Sequence, residues 1–305
     1  MTYSIVGADL EAGEVGCAVQ SKYFAVGAVV PWAQAGVGAV ATQAAGVAAY
    51  GARVLERLEA GAEPAEALRL VLADDEARET RQLGVVTADG RSASFTGSEC
   101  NEWAGDAQGA GFAAQGNILA GPEVVAEMER AFEKTGGPLA ERLMAALEAA
   151  EAAGGDRRGR QSAAMVVERA GAGAGSPEGI DRVVDLRVDD HPEPIEELRR
   201  LLGIQTSWRL ASEAMAFYER EDFEGGIDLM RGGLQRASDP SGILLYQLAC
   251  FESLSGQRDA AVKHLRGAIE ADPRWRADAR SDSDFDPIRD DPSLQELLVG
   301  QTPRS

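Results

Sequence analysis

The first 44 residues have the hydrophobic patterns that are typical of β-strands. Residues 3–9 alternate up to a polar turn around Glu11–Gly13, and the segment VGCAVQS (15–21) returns as a second strand. This pattern predicts an N-terminal β-hairpin. The apolar, glycine-rich segment 25–44 that follows is predicted to continue as strand.

The hydrophobic period lengthens from residue 48, where Tyr50, Val54 and Leu58 fall on one helical stripe. A second helix is predicted to begin with Pro64 in its first turn, the part of a helix that tolerates proline best. Two helices therefore follow the first group of strands.

Strand patterns return at 81–97, where the dipeptide Asp89-Gly90 predicts a hairpin with a type I′ turn. The elements predicted after this hairpin are, in order, a strand within 111–121, helices over 122–134 and 138–153, and a pair of strands over 162–171 and 180–190. Strands and helices thus alternate in groups up to about residue 190.

The last hundred residues change to a purely helical pattern. Residues 244–275 have the helix-turn-helix layout of a tetratricopeptide repeat (TPR), and residues 212–240 resemble a looser copy shifted by 35 residues. We place a domain boundary near residue 204. The prediction is an N-terminal domain over 1–204 and a TPR-like helical repeat domain over 205–305.

The composition restricts the partners of the chain. Its 305 residues carry a formal net charge of -20 at pH 7, which repels nucleic acid phosphates and anionic membrane surfaces. No segment approaches the roughly 20 consecutive apolar residues that are needed to span a bilayer. The first residues also lack the pattern of a signal peptide, which is a basic stretch followed by an apolar one. We expect a cytoplasmic protein whose partners are small molecules or proteins, with no nucleic acid and no membrane.

Cysteine and histidine are poorly placed for several kinds of active site. Cys17, Cys100 and Cys250 have neither metal-ligand spacing nor a disulfide framework. His191 and His264 are too few for a histidine-rich metal site or a Ser-His-Asp triad, and the glycines form no nucleotide-binding motif. No metal and no cofactor are predicted.

The predicted order of strands, two helices, strands, two helices and strands is what a four-layer αββα sandwich requires. Several stretches also resemble a known family: TYSIVGAD, VQSKYFAVGAVVPWAQAGVGAVATQA, RQLGVV, QGNILAGPEVV, GPLAERLMAALEAAEAAGGDRRGRQSAAMVV and VDLRVDDHPEPIEELRRL. On these stretches, residues 2–202 closely resemble the uncharacterised Ntn-hydrolase-like family DUF1028. The resemblance implies an α+β fold, the αββα Ntn-hydrolase-like sandwich, ahead of the all-α repeat domain.

Thr2 is the candidate nucleophile. Removal of the initiator methionine would leave a residue with both a hydroxyl and an α-amine of pKa about 8, the pair that attacks carbonyls in N-terminal-nucleophile (Ntn) enzymes. A weaker resemblance to proteasome β-type subunits, whose catalytic threonine begins the first strand, implies the same role for Thr2. Two motifs of those subunits are altered in this chain. Gln20 and Lys22 replace the aspartate and the arginine of Asp-Ser-Arg, and Gly159 replaces the serine of Asp-x-x-Ser-Gly-Gly. Asp156 is retained from the second motif.

Lys22 and Asp156 are the candidate catalytic supports of this threonine. A buried Lys22 ammonium would polarise the Thr2 hydroxyl, and Asp156 would orient either the α-amine or Lys22. The alternative for Lys22 is a surface lysine at a strand end. The alternative for Asp156 is a turn residue at the end of a helix.

Two further segments are candidate oxyanion and substrate-binding sites. Gln43 and Ala44 lie between a strand and a helix, where backbone N–H groups and the helix dipole favour an oxyanion. Gly116 permits an unusual backbone turn and Asn117 offers an amide donor, although Asn117 is equally suited to cap the next helix. Arg160, in the run DRRGRQ, either attracts a substrate carboxylate or belongs to a solvated loop.

The leading hypothesis is an Ntn-type amidohydrolase that cleaves a small amide or peptide bond through Thr2. The second is a catalytically inactive Ntn-fold scaffold whose TPR-like repeats dock a protein partner, which the departures at Gln20 and Gly159 favour. Hydrolysis from Ser4 or Cys17 is a third interpretation, for which neither residue has a visible base. By analogy with other Ntn domains we also expect a homodimer.

Overall fold

The computed structural model describes residues 2–172, 180–236 and 238–299. The chain divides into two compact units, Met1–Arg199 and Arg200–Ser305. This division falls inside one long helix, as does the boundary predicted near residue 204. Met1, whose removal the nucleophile hypothesis requires, lies outside the described residues.

The strands of the N-terminal unit form two antiparallel sheets. Among the described residues they are β1 (Thr2–Asp9), β2 (Glu14–Ser21), β3 (Pro31–Gln34), β4 (Gly38–Ala44), β5 (Arg81–Thr87), β6 (Ser92–Thr96), β7 (Gly105–Gly109), β8 (Phe112–Asn117), β9 (Ser162–Arg169) and β10 (Arg182–Val188). A six-stranded sheet has the order β10-β9-β2-β1-β8-β7, and a four-stranded sheet has the order β3-β4-β5-β6. The chain therefore begins in a central strand of the larger sheet.

Alternate residues of β1 face opposite layers of the unit. Val6 and Ala8 pack against the four-stranded sheet in the apolar core between the two sheets. Gly7 points the other way, where a β-carbon would come within 2.9 Å of Phe132. Because side chains alternate along a strand, Thr2 and Ser4 belong to the face between the sheets.

Helices cover the outer faces of both sheets. The helices of the described chain are α1 (Ala49–Glu59), α2 (Pro64–Leu72), α3 (Glu123–Lys134), α4 (Leu139–Ala152), α5 (Pro194–Tyr218), α6 (Phe223–Arg236), α7 (Ile243–Leu254), α8 (Arg258–Ala271), α9 (Trp275–Ser281) and α10 (Pro292–Val299). Helices α1 and α2 pack on the four-stranded sheet, and α3 and α4 pack on the six-stranded sheet. The unit is thus α+β, with its layers in the order helices, sheet, sheet, helices.

The first hairpin and the four helices predicted for this unit are confirmed, but two turns differ from the predictions. Residues Val26–Ala28 form a short 3-10 turn where strand was predicted. The hairpin between β5 and β6 has a three-residue loop closed by Thr87 and Arg91, and within Asp89-Gly90 only Gly90 has a positive φ, +84°. A type I′ turn needs a positive φ at both of its central residues, so the predicted turn type is wrong.

Strand β7 does not follow from the sequence pattern. Its segment GDAQG lacks the β-branched and aromatic residues typical of strands. Pairing with β8 holds it in the sheet, and Asp106 accepts hydrogen bonds from Ser94 and Thr96 of β6. Tertiary contacts therefore create this strand where local preference is weak.

The described C-terminal unit is helical, as the sequence predicts. Helices α5, α6 and α7 share one apolar core around Phe251, and α7 to α10 share a second around Phe285. The buried Glu252 carboxylate of α7 accepts from Arg231 of α6 at 2.7 Å and lies 2.7 Å from His264 Nδ1 of α8. Within the described residues of both units, no helix combines the length and the apolarity needed to cross a membrane.

Candidate functional site

Thr2 is the first residue of β1 and lies between Ser21 of β2 and Asn117 of β8. Its hydroxyl oxygen is 3.0 Å from the Ser21 hydroxyl oxygen, and either group can donate this hydrogen bond. Its carbonyl accepts a 3.2 Å hydrogen bond from the side-chain amide of Gln43, which belongs to β4 in the opposite sheet. Thr2 is buried, so protein groups hold both of these polar atoms.

Asp156 lies across the end of β1. Its side chain is fully buried, and its carboxylate accepts the backbone N–H of Lys22, which follows β2, at 3.1 Å. Its backbone forms an antiparallel bridge with Leu119, which follows β8. Because β2 and β8 flank β1, these two attachments place Asp156 beside the point where the chain enters β1. Of the predicted catalytic residues, the structure therefore brings Thr2 and Asp156 to one end of the sheet.

A layer of buried amide and hydroxyl side chains joins the two sheets beside the candidate nucleophile. Gln43 and Asn117 each donate to the side-chain oxygen of Gln82 at 2.9 Å. Ser4 donates to Gln43 at 2.7 Å and accepts from Gln115 at 2.6 Å. Buried polar groups cost free energy unless they are paired, so these hydrogen bonds fix the side chains of the layer in place. We call these five residues the buried amide layer.

Two residues next to this layer have the left-handed backbone conformation that favours glycine. Ala44 ends β4 with a φ of +66°, and Ile118 follows β8 with a φ of +51°. A β-branched residue rarely adopts this conformation, which persists only where the surrounding structure holds it. Such backbone strain concentrates at functional sites, and here it directly follows Gln43 and Asn117.

Lys22 does not have the buried environment that its predicted role requires. It is exposed, and its ammonium group donates to the Arg160 carbonyl at 3.1 Å. The Thr2 hydroxyl is bonded to Ser21 instead. Lys22 follows Ser21 at the point where the chain leaves the sheet, so its backbone contacts Asp156 while its side chain lies on the surface.

Arg160, the predicted partner of a substrate carboxylate, is engaged with carboxylates of the protein itself in this structure. Its guanidinium pairs with Glu193 and, at 3.3 Å, with Glu151. The neighbouring Arg158 donates its backbone N–H to the Asp156 carboxylate at 2.8 Å. The run DRRGRQ therefore fastens a loop to the unit.

The side-chain donors predicted to stabilise an oxyanion already serve the buried amide layer. Gln43 donates to Gln82 and to the Thr2 carbonyl, and Asn117 donates to Gln82. Asn117 is not the cap of α3 either, because the residue that precedes this helix is Pro122 and no side chain caps it. In this conformation both amides hold the two sheets together.

Gly116 has a different structural role from the one predicted. It belongs to β8 and has no positive φ, so it makes no unusual turn. A β-carbon at this position would come within 2.4 Å of the Leu119 side chain. Close packing against Leu119 therefore favours glycine here, and the unusual backbone occurs two residues later, at Ile118.

Ser21 and Gln82 are site residues that the sequence pattern did not single out. Ser21 contacts Thr2 because the hairpin register pairs these two positions. The same register pairs Gln20 with Tyr3, on the helix-facing side of the sheet, so Gln20 does not stand beside the Thr2 hydroxyl. A register counted out from the N-terminal turn could have found Ser21. No local signal marks Gln82, which reaches the site from the other sheet.

Tyr3 and Gln20 occupy the helix-facing side of the same strand end. Tyr3 donates to Glu151 of α4 at 2.7 Å. Burial, followed by the nearby Glu151 carboxylate, raises the pKa of the Tyr3 hydroxyl well above its usual value, so Tyr3 remains a neutral donor. Gln20 is fully buried, and its amide atoms have no hydrogen-bond partner among the described residues.

Ser4 and Cys17, the alternative nucleophiles, have unsuitable surroundings. Ser4 is fully buried and hydrogen-bonded within the buried amide layer. Burial raises the pKa of the Cys17 thiol, which disfavours the thiolate that would act as nucleophile. Neither residue is therefore prepared for attack on a carbonyl.

Two other features of the described chain share no residue with this site. Potential metal-ligating atoms of Cys250, Asp282 and Asp284 lie within 4.8 Å of one another in the C-terminal unit. Tyr246 donates to Asp282 and Tyr218 donates to Asp284, so tyrosine hydroxyls already hold both carboxylates. A cavity of about 480 Å³ between α2 and β6 contains none of the site residues in its lining.

Comparisons with known proteins concern the N-terminal part of the chain. The family model DUF1028, described as a family of unknown function, matches residues 2–198. The crystal structure of protein SPO2555 from Silicibacter pomeroyi, also of the DUF1028 family, is 36% identical with a TM-score of 0.60, over 66% of this chain and 84% of that chain. No curated protein matches the chain. Since the family match extends over well more than half of its residues, the chain belongs to the DUF1028 family of unknown function.

Proposed function

We propose that the N-terminal unit is an Ntn-hydrolase-like αββα sandwich that hydrolyses a small amide or peptide bond through Thr2. The layer order of helices, sheet, sheet and helices supports the proposed fold. One observation carries the proposed activity: Ser21 holds the Thr2 hydroxyl at the start of a central strand, at the sheet end where the buried Asp156 carboxylate binds the Lys22 N–H.

In the proposed reaction, removal of Met1 frees the Thr2 α-amine to act as the base. The amine takes the hydroxyl proton, directly or through a water molecule, while Thr2 Oγ1 attacks the amide carbonyl carbon. The tetrahedral intermediate collapses to an acyl ester as the C–N bond breaks and the proton passes to the leaving amine. A water molecule then attacks the ester, releases the acid and restores the Thr2 hydroxyl.

The surrounding residues are proposed to position these reacting groups. Ser21 would orient the Thr2 hydroxyl, and Asp156 would orient the α-amine at the end of β1. Gln43 and Asn117 would serve as oxyanion donors by exchanging a hydrogen bond to Gln82 for one to the intermediate. Both amides donate to the same Gln82 oxygen, so either can give up that hydrogen bond while the other keeps it.

A second candidate function is protein docking by the C-terminal unit, with an inactive N-terminal unit as scaffold. We propose that residues 205–305 form TPR-like repeats, whose stacked helix pairs bind protein segments in this class of fold. The close approach of helices supports this proposal, because a β-carbon at Gly226 of α6 would come within 2.2 Å of Phe251 of α7.

Intact mass and labelling by a threonine-directed β-lactone test the catalytic proposal. We expect untagged protein to lack one methionine and to take up a single adduct, because the free amine activates the Thr2 hydroxyl. Thr2→Ala should abolish the adduct. Ser21→Ala should slow its formation about tenfold or more, since an unoriented hydroxyl reacts less efficiently.

Ser212→Ala is the matched control, because Ser212 is an exposed serine of α5 outside the site. This variant should label at the rate of the unchanged protein. A processed protein that never labels, or an adduct that persists in Thr2→Ala, would contradict the catalytic proposal and favour the docking function.

A further inference from the structure

Tyr23 and Phe24 are an adjacent pair of exposed aromatic residues beside the candidate site. Tyr23 is 58% exposed and Phe24 is 63% exposed, whereas the other tyrosines and phenylalanines described in the N-terminal unit are buried or half-buried. The pair closely follows Ser21, which contacts Thr2. Two residues of chain span at most about 7 Å, so the Tyr23 Cα atom lies within that distance of the Ser21 Cα atom.

The backbone that carries this pair is fixed on both sides. Ser162 Oγ donates to the Tyr23 carbonyl at 2.5 Å and accepts from the Val26 N–H at 3.1 Å. The Ala25 N–H donates to the Asp189 carbonyl at 2.9 Å, and Ala25 has a left-handed φ of +53°. A segment constrained in this way loses little conformational entropy when a ligand binds.

We propose that Tyr23 and Phe24 bind an apolar group, preferably an aromatic one, that lies next to the scissile amide of the substrate. This inference rests on the proposed function, because it treats the pair as the wall of an entrance to Thr2. Aromatic side chains offer large contact areas and favour ring-to-ring packing, which makes a phenyl group the best-matched occupant.

The basic side chains of Lys22 and Arg160, next to the pair, already make contacts within the protein. The Arg160 guanidinium is engaged by two glutamates, and the Lys22 ammonium donates to a backbone carbonyl. The net charge of -20 adds a general repulsion of anions. The exposed aromatic surface of Tyr23 and Phe24 is therefore the apolar contact that this segment offers to a ligand.

Two matched pairs of probes test the inference on the full-length protein. The reactive pair consists of β-lactones with a benzyl or a carboxymethyl substituent, compared by their labelling rates. The reversible pair consists of N-acetyl-phenylalaninamide and N-acetyl-aspartic acid amide, whose binding to Thr2→Ala is measured by NMR chemical shifts. We expect the benzyl lactone to label at least ten times faster than the carboxymethyl lactone, and the phenylalanine amide to bind at least ten times more tightly than the aspartic acid amide. Apolar contacts of this size distinguish ligands by such factors.

Tyr23→Ser combined with Phe24→Ser should lower this preference severalfold, leaving only the part that comes from repulsion of the acidic probe, while Leu10→Ser should leave it unchanged. Leu10 is the matched control because it is 61% exposed and lies at the opposite end of β1. A preference that is as large in the double variant as in the unchanged protein would overturn the inference. A second result would also overturn it: the protein is a dimer, the double variant is a monomer, and probe binding is the same in both. The pair would then form an interface between copies of the chain.

The two measurements separate this inference from the proposed function. Labelling of Thr2 at equal rates by both lactones would keep the nucleophile and overturn the aromatic site. Absence of labelling, together with amide binding that depends on Tyr23 and Phe24, would overturn the hydrolase and keep the aromatic site. Absence of both labelling and binding would overturn both.

Discussion

At the scale of single residues, three non-glycine positions with left-handed backbone lie around the end of β1. They are Ala25, which precedes a 3-10 turn, Ala44 at the end of β4, and Ile118 directly after β8. Each costs roughly 1–2 kcal/mol relative to an ordinary conformation. The hydrogen bonds and packing of the surrounding structure must offset this cost, so the backbone near Thr2 is held in a conformation that the local sequence does not favour.

Ala44→Gly should stabilise the protein by about 0.5–1 kcal/mol. Glycine relieves the left-handed strain, and this gain exceeds the extra chain entropy that glycine loses on folding. Ala41→Gly, in the same strand but without a positive φ, should instead lower the free energy of unfolding by about 1 kcal/mol or more. Urea denaturation of both variants measures the difference. Equal effects of the two substitutions would refute the strain at Ala44.

At the scale of secondary-structure elements, the buried amide layer connects strands of both sheets. Gln82 of β5 accepts hydrogen bonds from Gln43 of β4 and Asn117 of β8, and it donates to the Gly116 carbonyl at 2.8 Å. Gln20 of β2 is equally buried, but its amide atoms have no hydrogen-bond partner among the described residues. Two glutamines with the same burial therefore have opposite energetic roles.

Gln82→Leu should lower the free energy of unfolding by about 1–3 kcal/mol, because it removes the side-chain acceptor of the buried Asn117 amide, whereas Gln43 keeps its hydrogen bond to the Thr2 carbonyl. Gln20→Leu should leave stability unchanged or raise it, because it removes a buried polar group that no described residue satisfies. Thermal and urea denaturation compare the two variants directly. A large loss of stability in Gln20→Leu would show that this amide has a partner, such as a buried water molecule.

At the scale of the whole molecule, the two units have separate apolar cores and different ways of joining their elements. Backbone pairing and buried amides hold the N-terminal sheets together. In the C-terminal unit, the fully buried Glu252 carboxylate links three helices through Arg231 and His264. A buried charge is tolerated only with such partners, so this ion pair stabilises one specific helix arrangement.

Arg231→Met should destabilise the C-terminal unit by about 2–3 kcal/mol. The value lies below the 3–5 kcal/mol typical of breaking a fully buried pair, because Arg231 is partly exposed and His264 remains beside Glu252. Arg209→Met removes an exposed pair with Glu213 on α5 and should cost about 0.5 kcal/mol or less. Hydrogen exchange of α7 amides reports the change. Equal exchange rates in the two variants would show that the buried pair adds nothing.

The positions of most strands and helices could be predicted because hydrophobic periods are local. The N-terminal hairpin, α1 to α4 and the helical C-terminal unit all follow from such periods. Strand β7 could not be predicted, because its residues favour a strand only when β8 and β6 are already beside them. The type of the turn at Gly90 could not be predicted either, because it depends on how the two strands pair and not only on the Asp89-Gly90 sequence.

The sequence by itself determined the N-terminal hairpin, the helices, the α+β character of the N-terminal unit, and Thr2 and Asp156 as candidate site residues. Only the tertiary structure decided that Ser21 holds the Thr2 hydroxyl and that Lys22 lies on the surface. It also decided that Gln82 joins the site from the opposite sheet. The reason is physical: a local period tells which face of a strand is buried, whereas register and sheet packing bring together side chains that are far apart in the chain.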